Sequence, residues 1–125
     1  MRFGWYLSVG GAAEEAIAAE RHGFDLAWID DDAMSATALA ASLAVVTNGL
    51  RIGVTATVGH DHPIELAEEA AVADLALGGR LILGIRPVAG AEDGVAEVLD
   101  LLQECFASHP FEHRGQRWAV PANLE

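Results

Sequence analysis

Three aspartates stand in a row at Asp30, Asp31 and Asp32, directly after an apolar run that ends at Ile29. Carboxylates set this close raise one another's pKa, so one can carry a proton for acid–base work, or together they can hold a cation. The competing account is a solvated acidic loop in which one Asp caps the next helix. A second cluster, His60-Asp61-His62, precedes Pro63. His-x-His supplies only two metal ligands, and no third Cys, His or carboxylate lies at ligand spacing. Helix-start structure is therefore the first account of His62 and contact with a ligand the second. Thr55 and Thr57 lie two apart near the end of another apolar run, hence on one strand face. Their hydroxyls could bind a ring or substrate, or the pair could simply pack. Arg86 comes directly after the run 80–85 and could bind a phosphate or carboxylate, or pair with the acidic loops. Trp5 and Trp28 read as core or interface residues and Trp118 as a docking anchor. No Ser-His-Asp, Cys-His or two-Cys arrangement offers a nucleophile, and Cys105 falls in a helical apolar pattern as a core residue.

These groups need elements to position them, and strand–helix alternation runs through the chain four times. Strands are expected over residues 2–8, 24–29, 50–57 and 80–85, each a short apolar run bounded by turn residues. Helices are expected over 12–21, stopped by Gly23, and over 35–46, stopped by Asn48-Gly49. A third starts at Pro63, where a missing N–H costs nothing, and ends at Gly78-Gly79. Ile64, Ala67, Ala71 and Leu75 would form its buried stripe, and Val95, Val98, Leu99, Leu102 and Phe106 that of the fourth helix. The tail from Pro110 has a Gly115 turn and strand-like residues at 117–120, giving a hairpin or an extended arm. The expected division is thus an α/β domain over 1–109 and an appendage over 110–125.

Composition narrows the partners. The 125 residues carry a formal charge of −12, from 19 acidic residues against seven Arg and no Lys. Such a surface repels phosphodiester backbones and anionic lipid, so neither nucleic acid nor membrane is an expected partner. An anionic small molecule would need locally placed Arg or backbone N–H groups. One cysteine excludes an internal disulfide and suits a reducing cytoplasm.

Five stretches, taken in order, resemble the N-terminal half of the bacterial-luciferase-like family of flavin- and deazaflavin-dependent oxidoreductases. They are the opening Phe3-Gly4 strand, HGFDLAWIDDD (22–32), TNGLRIGVTATV (47–58), HPIELAEEAAVADLALGGRLILGI (62–85), and the final helix with its FEHRGQRWAVPA tail. The resemblance implies four βα units forming half of a TIM-type (βα)8 barrel. It also implies FMN or a deazaflavin of the F-420 type at the C-terminal strand ends. Asp31 and Asp32 would then be the catalytic candidates, and Thr55, Thr57, His62 and Arg86 the cofactor-binding ones. Asp32 stands where many members have His, and Arg86-Pro87 where many have a Gly-rich turn. The implied function is a truncated monooxygenase-type oxidoreductase. The alternative is a non-catalytic binding or accessory protein that kept the scaffold and binds no cofactor.

A half-barrel has an assembly consequence. Four strands present an inner face of about 350 Å², and covering it with a partner contributes at most about 9 kcal/mol per subunit before association costs. Open sheet edges add unpaired backbone groups. A homodimer is therefore expected.

Overall fold

A computed structural model describes residues 1–30, 35–59, 61–107 and 109–121. Its elements keep the expected alternation: β1 (Gly4–Tyr6), α1 (Ala12–Arg21), β2 (Leu26–Ile29), α2 (Ala36–Ser42), β3 (Arg51–Val58), α3 (Pro63–Ala76), β4 (Leu81–Pro87) and α4 (Val95–Phe106). The short strands β5 (His113–Arg114) and β6 (Ala119–Val120) close the series. The first four strands form one parallel sheet in the order β1-β2-β3-β4, as expected of half a (βα)8 barrel. Register pairs Tyr6 with Trp28 and Trp28 with Gly53. The tail is a hairpin rather than an extended arm, with His113 opposite Val120.

The chain divides into two compact units, one of residues 1–56 and 69–85, the other of 57–68 and 86–125. In the first, strand alternation sends Ala27, Ile29, Ile52 and Val54 to the helix side, where each is at most 1% exposed. Ala16, Ala19 and Ala40 meet them there, and such small side chains let helices lie close on the sheet. Helix α1 has Glu14 and Glu15 in its first turn and Arg21 in its last, matching the macrodipole. It ends where Gly23 turns to φ 78° and Phe24 donates its N–H to the Ala19 carbonyl. Ser35 caps α2 through the Ala38 N–H.

Polar ties hold the loops that enter β3 and β4. The Glu20 carboxylate accepts the N–H groups of Asn48, Gly49 and Leu50 at 2.7–3.1 Å. Its carboxyl is held below the usual range, first by the Gly49 N–H, with burial opposing and Leu50, Asn48 and the Arg80 charge adding. Arg80 donates to the carbonyls of Leu77 and Leu50 and to the Thr47 hydroxyl. Asp74 accepts the Leu81 N–H at 3.1 Å.

In the second unit α4 buries Val98, Leu101 and Leu102. Glu97 pins the hairpin by accepting the N–H groups of Trp118 (3.0 Å) and Arg117 (3.2 Å). The His113 ring lies 3.2 Å from the same carboxylate. A Cβ at Gly115 would overlap Glu97 Oε1, so a larger turn residue would have to displace the carboxylate that pins the hairpin.

Two expected stripes are corrected. Helix α3 buries Ala67, Ala70 and Ala73, with Leu77 buried just past its end, whereas Leu75 is 83% exposed and Ala71 lies outside. Apolar residues occupy several faces of that helix, so periodicity could not choose among them. On α4 Leu101 joins the buried set while Leu99 and Phe106 are exposed. Arg86 and Pro87, expected just beyond the fourth strand, are its last two residues.

Candidate functional site: the inner face of the sheet

The sheet face opposite the helices is built around Trp28. Its indole lies flat across two neighbouring strands, possible only because β3 and β4 each place a glycine beneath it. A Cβ on Gly53 would overlap Trp28 Cε3 and Cζ3, and one on Gly84 would come within 2.9 Å of Cζ2. Glycine in a strand interior costs stability and often marks a close approach of this kind. The ring is half-buried. Tyr6, its register partner on β1, is 72% exposed on the same face.

Two hydrogen bonds tie the indole to a carboxylate. Trp28 Nε1–H donates to Thr55 Oγ1 at 2.7 Å, and the Thr55 hydroxyl donates to Asp30 Oδ1 at 2.8 Å. An indole N–H can only donate, so Thr55 must accept there and must direct its single proton to the carboxylate. The chain Trp28–Thr55–Asp30 has one polarity, ending on an anion at the C-terminal end of β2, where barrel proteins place functional groups.

The other sequence candidates are scattered. Asp31, Asp32 and His60 lie outside the described residues. Thr57 is exposed and belongs to the second unit. So does His62, whose Nδ1 accepts the Ile64 N–H at 3.2 Å, a helix-start role, while its ring meets Trp118 edge-on at 5.0 Å. The Trp118 Nε1 is buried without a partner among the described residues. Arg86 is exposed, and among the described residues it makes no ion pair. Among the described candidates, Thr55 and Asp30 are brought into one hydrogen-bonded group, which Trp28 completes. The signal that could have found them is Trp28 with mid-strand glycines, Gly53 and Gly84, on the next two strands.

Neighbouring features are less suited to chemistry. No group of three or more metal-ligating side chains occurs among the described residues. Burial, then the charges of Glu68 and Glu104, push the Cys105 thiol up, away from reactivity. On the helix side a hollow of about 330 Å³ is lined by Trp5, Phe24, Glu15 and His22. Among the described residues no helix is long and apolar enough to cross a membrane.

Known proteins share this fold. The family model for luciferase-like monooxygenases matches residues 7–124. EDTA monooxygenase (EmoA) from Chelativorans sp. BNC1 superposes with a TM-score of 0.79 at 16% identity, over 99% of this chain and 47% of that one. DmoA from Hyphomicrobium sulfonivorans superposes with a TM-score of 0.69 at 18% identity, over 88% of this chain and 37% of that one. At such identities the likeness is one of fold. The chain spans less than half the length of either structure. A search of curated proteins finds no match.

Proposed function

Because the chain belongs to the luciferase-like monooxygenase family, we propose that it is an oxidoreductase-type protein that binds FMN or a deazaflavin and works as a homodimer. The family match over residues 7–124 carries this reading. The residues present suit such a group: Arg86 is an exposed guanidinium able to take a phosphate, and Thr57 an exposed hydroxyl. When bound, the reduced flavin would activate oxygen, or the reduced deazaflavin would supply hydride. The chain's own part is to bind and orient. Thr55, Thr57, His62 and Arg86 are the cofactor-binding candidates, with Asp31 and Asp32 as the acid–base pair. Thr55 has already committed its proton to Asp30, so it offers the cofactor only a lone pair.

The homodimer is supported by uncovered apolar surface. Val45 is 90%, Val72 66% and Leu75 83% exposed in the helical layer, and Tyr6 on the open edge strand and Phe3 just before it are exposed. One observation favours a second reading, that of a non-catalytic binding protein. Pro87, at the end of β4, has no N–H to offer a ligand phosphate.

Titration of the purified protein with FMN and with the deazaflavin, monitored by tryptophan fluorescence and visible absorbance, tests the reading. Saturable quenching by one of them is expected. A protein indifferent to both would leave the binding-protein reading standing. Light scattering should give twice the chain mass at micromolar concentration, and a monomer there would remove the dimer.

A further inference from the structure

We infer that the hollow on the helix side of the sheet is a binding site for an aryl-alkyl amine in its cationic form. The inference does not rest on the cofactor reading, and the site lies wholly within the first unit. Helix α1 makes the room. Glu15, Ala18, Ala19 and His22, the residue after α1, follow one another at i, i+3, i+4 and i+7 and so share one helix face. The two alanines keep the middle of that face low, and the larger side chains stand at its ends, about 10 Å apart along the axis. Trp5 on β1 and Phe24, just before β2, supply an aromatic wall. Their rings stand edge to face, 5.6 Å apart at 89°, and Phe3 meets Phe24 at 6.4 Å. The resulting volume, about 330 Å³, falls in the range of small-molecule sites.

Apolar walls and one carboxylate decide the ligand class. Trp5 is 44% exposed, so a ligand ring seated against it and Phe24 removes apolar surface from water on both partners. Glu15 lines the same hollow. It accepts the Ser8 N–H at 2.6 Å on one oxygen and the Ser8 hydroxyl at 3.0 Å on the other, which fixes the carboxylate without cancelling its charge. Among the described residues it makes no ion pair. A carboxylate has about four acceptor sites, so an ammonium can be taken as well. The formal charge of −12 attracts a cation and repels an anion. A second copy fits less well, because its exposed Leu75, Leu99 and Phe106 sit on or beside helical carboxylates that Glu15 repels.

Three small molecules separate the possibilities: 2-phenylethylamine, 2-phenylethanol and 3-phenylpropionate share a ring and differ in the charge at the end of the chain. Binding of each to the full chain is read by equilibrium dialysis near neutral pH and low salt. The amine should bind at least about threefold tighter than the alcohol, and the carboxylate weakest of all. Added salt should narrow the gap. Glu15→Gln should bring amine and alcohol together. Ala18→Leu, which fills the hollow and keeps the charge, should weaken both, with circular dichroism confirming the fold of each variant. Equal binding of amine and alcohol, a preference for the carboxylate, or no binding of any overturns the inference. A folded Glu15→Gln protein that keeps the preference does so too. If no ligand binds and light scattering shows that Ala18→Leu splits a dimer, the hollow is a subunit contact and the inference falls. The comparison on the unmodified protein decides this even if a variant fails to fold. Flavin binding with no amine preference would sink this inference and leave the proposed function intact. An amine preference without flavin binding would do the reverse.

Discussion

The two faces of the β1–β4 sheet come from the same strands and have opposite properties. On the helix side Ala27, Ile29, Ile52 and Val54 are sealed to 1% exposure or less against small helix residues. One residue away on each strand, the inner face carries Leu26, Trp28, Asp30, Gly53, Thr55 and Gly84, where one ring, two glycines and a polar chain replace an aliphatic layer. The inner face is thus less greasy than four apolar strands suggest, because Trp28 covers the backbone of its neighbours. A period of two lets one short segment build a core and a polar, aromatic face together, since successive side chains never share an environment.

The largest test of this contrast is removal of an aliphatic side chain from each face. Ile52→Ala should cost about 3 kcal/mol of unfolding free energy, because a sealed site cannot refill the cavity. Leu26→Ala, half-exposed on the inner face, should cost under about 1 kcal/mol. Urea denaturation measures both, and equal losses would erase the distinction between the faces. Gly53→Val comes next. The new side chain must displace the Trp28 ring at a cost of about 1–3 kcal/mol. A red-shifted tryptophan emission should report the displaced indole, and an unchanged spectrum would mean that the ring does not lie on Gly53.

The smallest effect concerns charge, which holds the loop beside the packed face rather than the face itself. The charge that matters to the packed unit is Glu20, at the loop entering β3. Its folded carboxyl lies below the ordinary value of 4.5, so its contribution is fully present above that value and is lost as pH falls through the lowered one. Stability should therefore decline below about pH 4.5. Glu20→Gln should cost about 1 kcal/mol at neutral pH and flatten the acid limb. A variant with the same acid limb as the parent would show that Glu20 is not what titrates.

Much of the scaffold was legible from local signals. Pro63 starts α3, Gly23 ends α1, and the run Arg51–Val58 becomes the third strand, because caps, turns and alternation act over a few residues. The buried side of α3 was not legible, since Ala and Leu stand on several of its faces and only the neighbouring sheet selects Ala70 and Ala73 over Ala71 and Leu75. The site divides in the same way. Asp30 was visible as one of three carboxylates, but its link to Thr55 spans 25 residues and that of Trp28 to Thr55 spans 27. Neither spacing is a motif, and Trp28 alone reads as a core residue.

By itself the sequence determined the order of elements, the glycine stop after α1, the acidic character and the family, because each is written in neighbouring residues or in the chain's whole composition; the cap of α2 it left among the aspartates, where the structure uses Ser35. Only the tertiary structure decided which helix faces are buried, that Gly53 and Gly84 serve to seat an indole, and that Thr55 spends its proton on Asp30. These depend on strand register, which brings distant residues to within bond length and which no local pattern encodes.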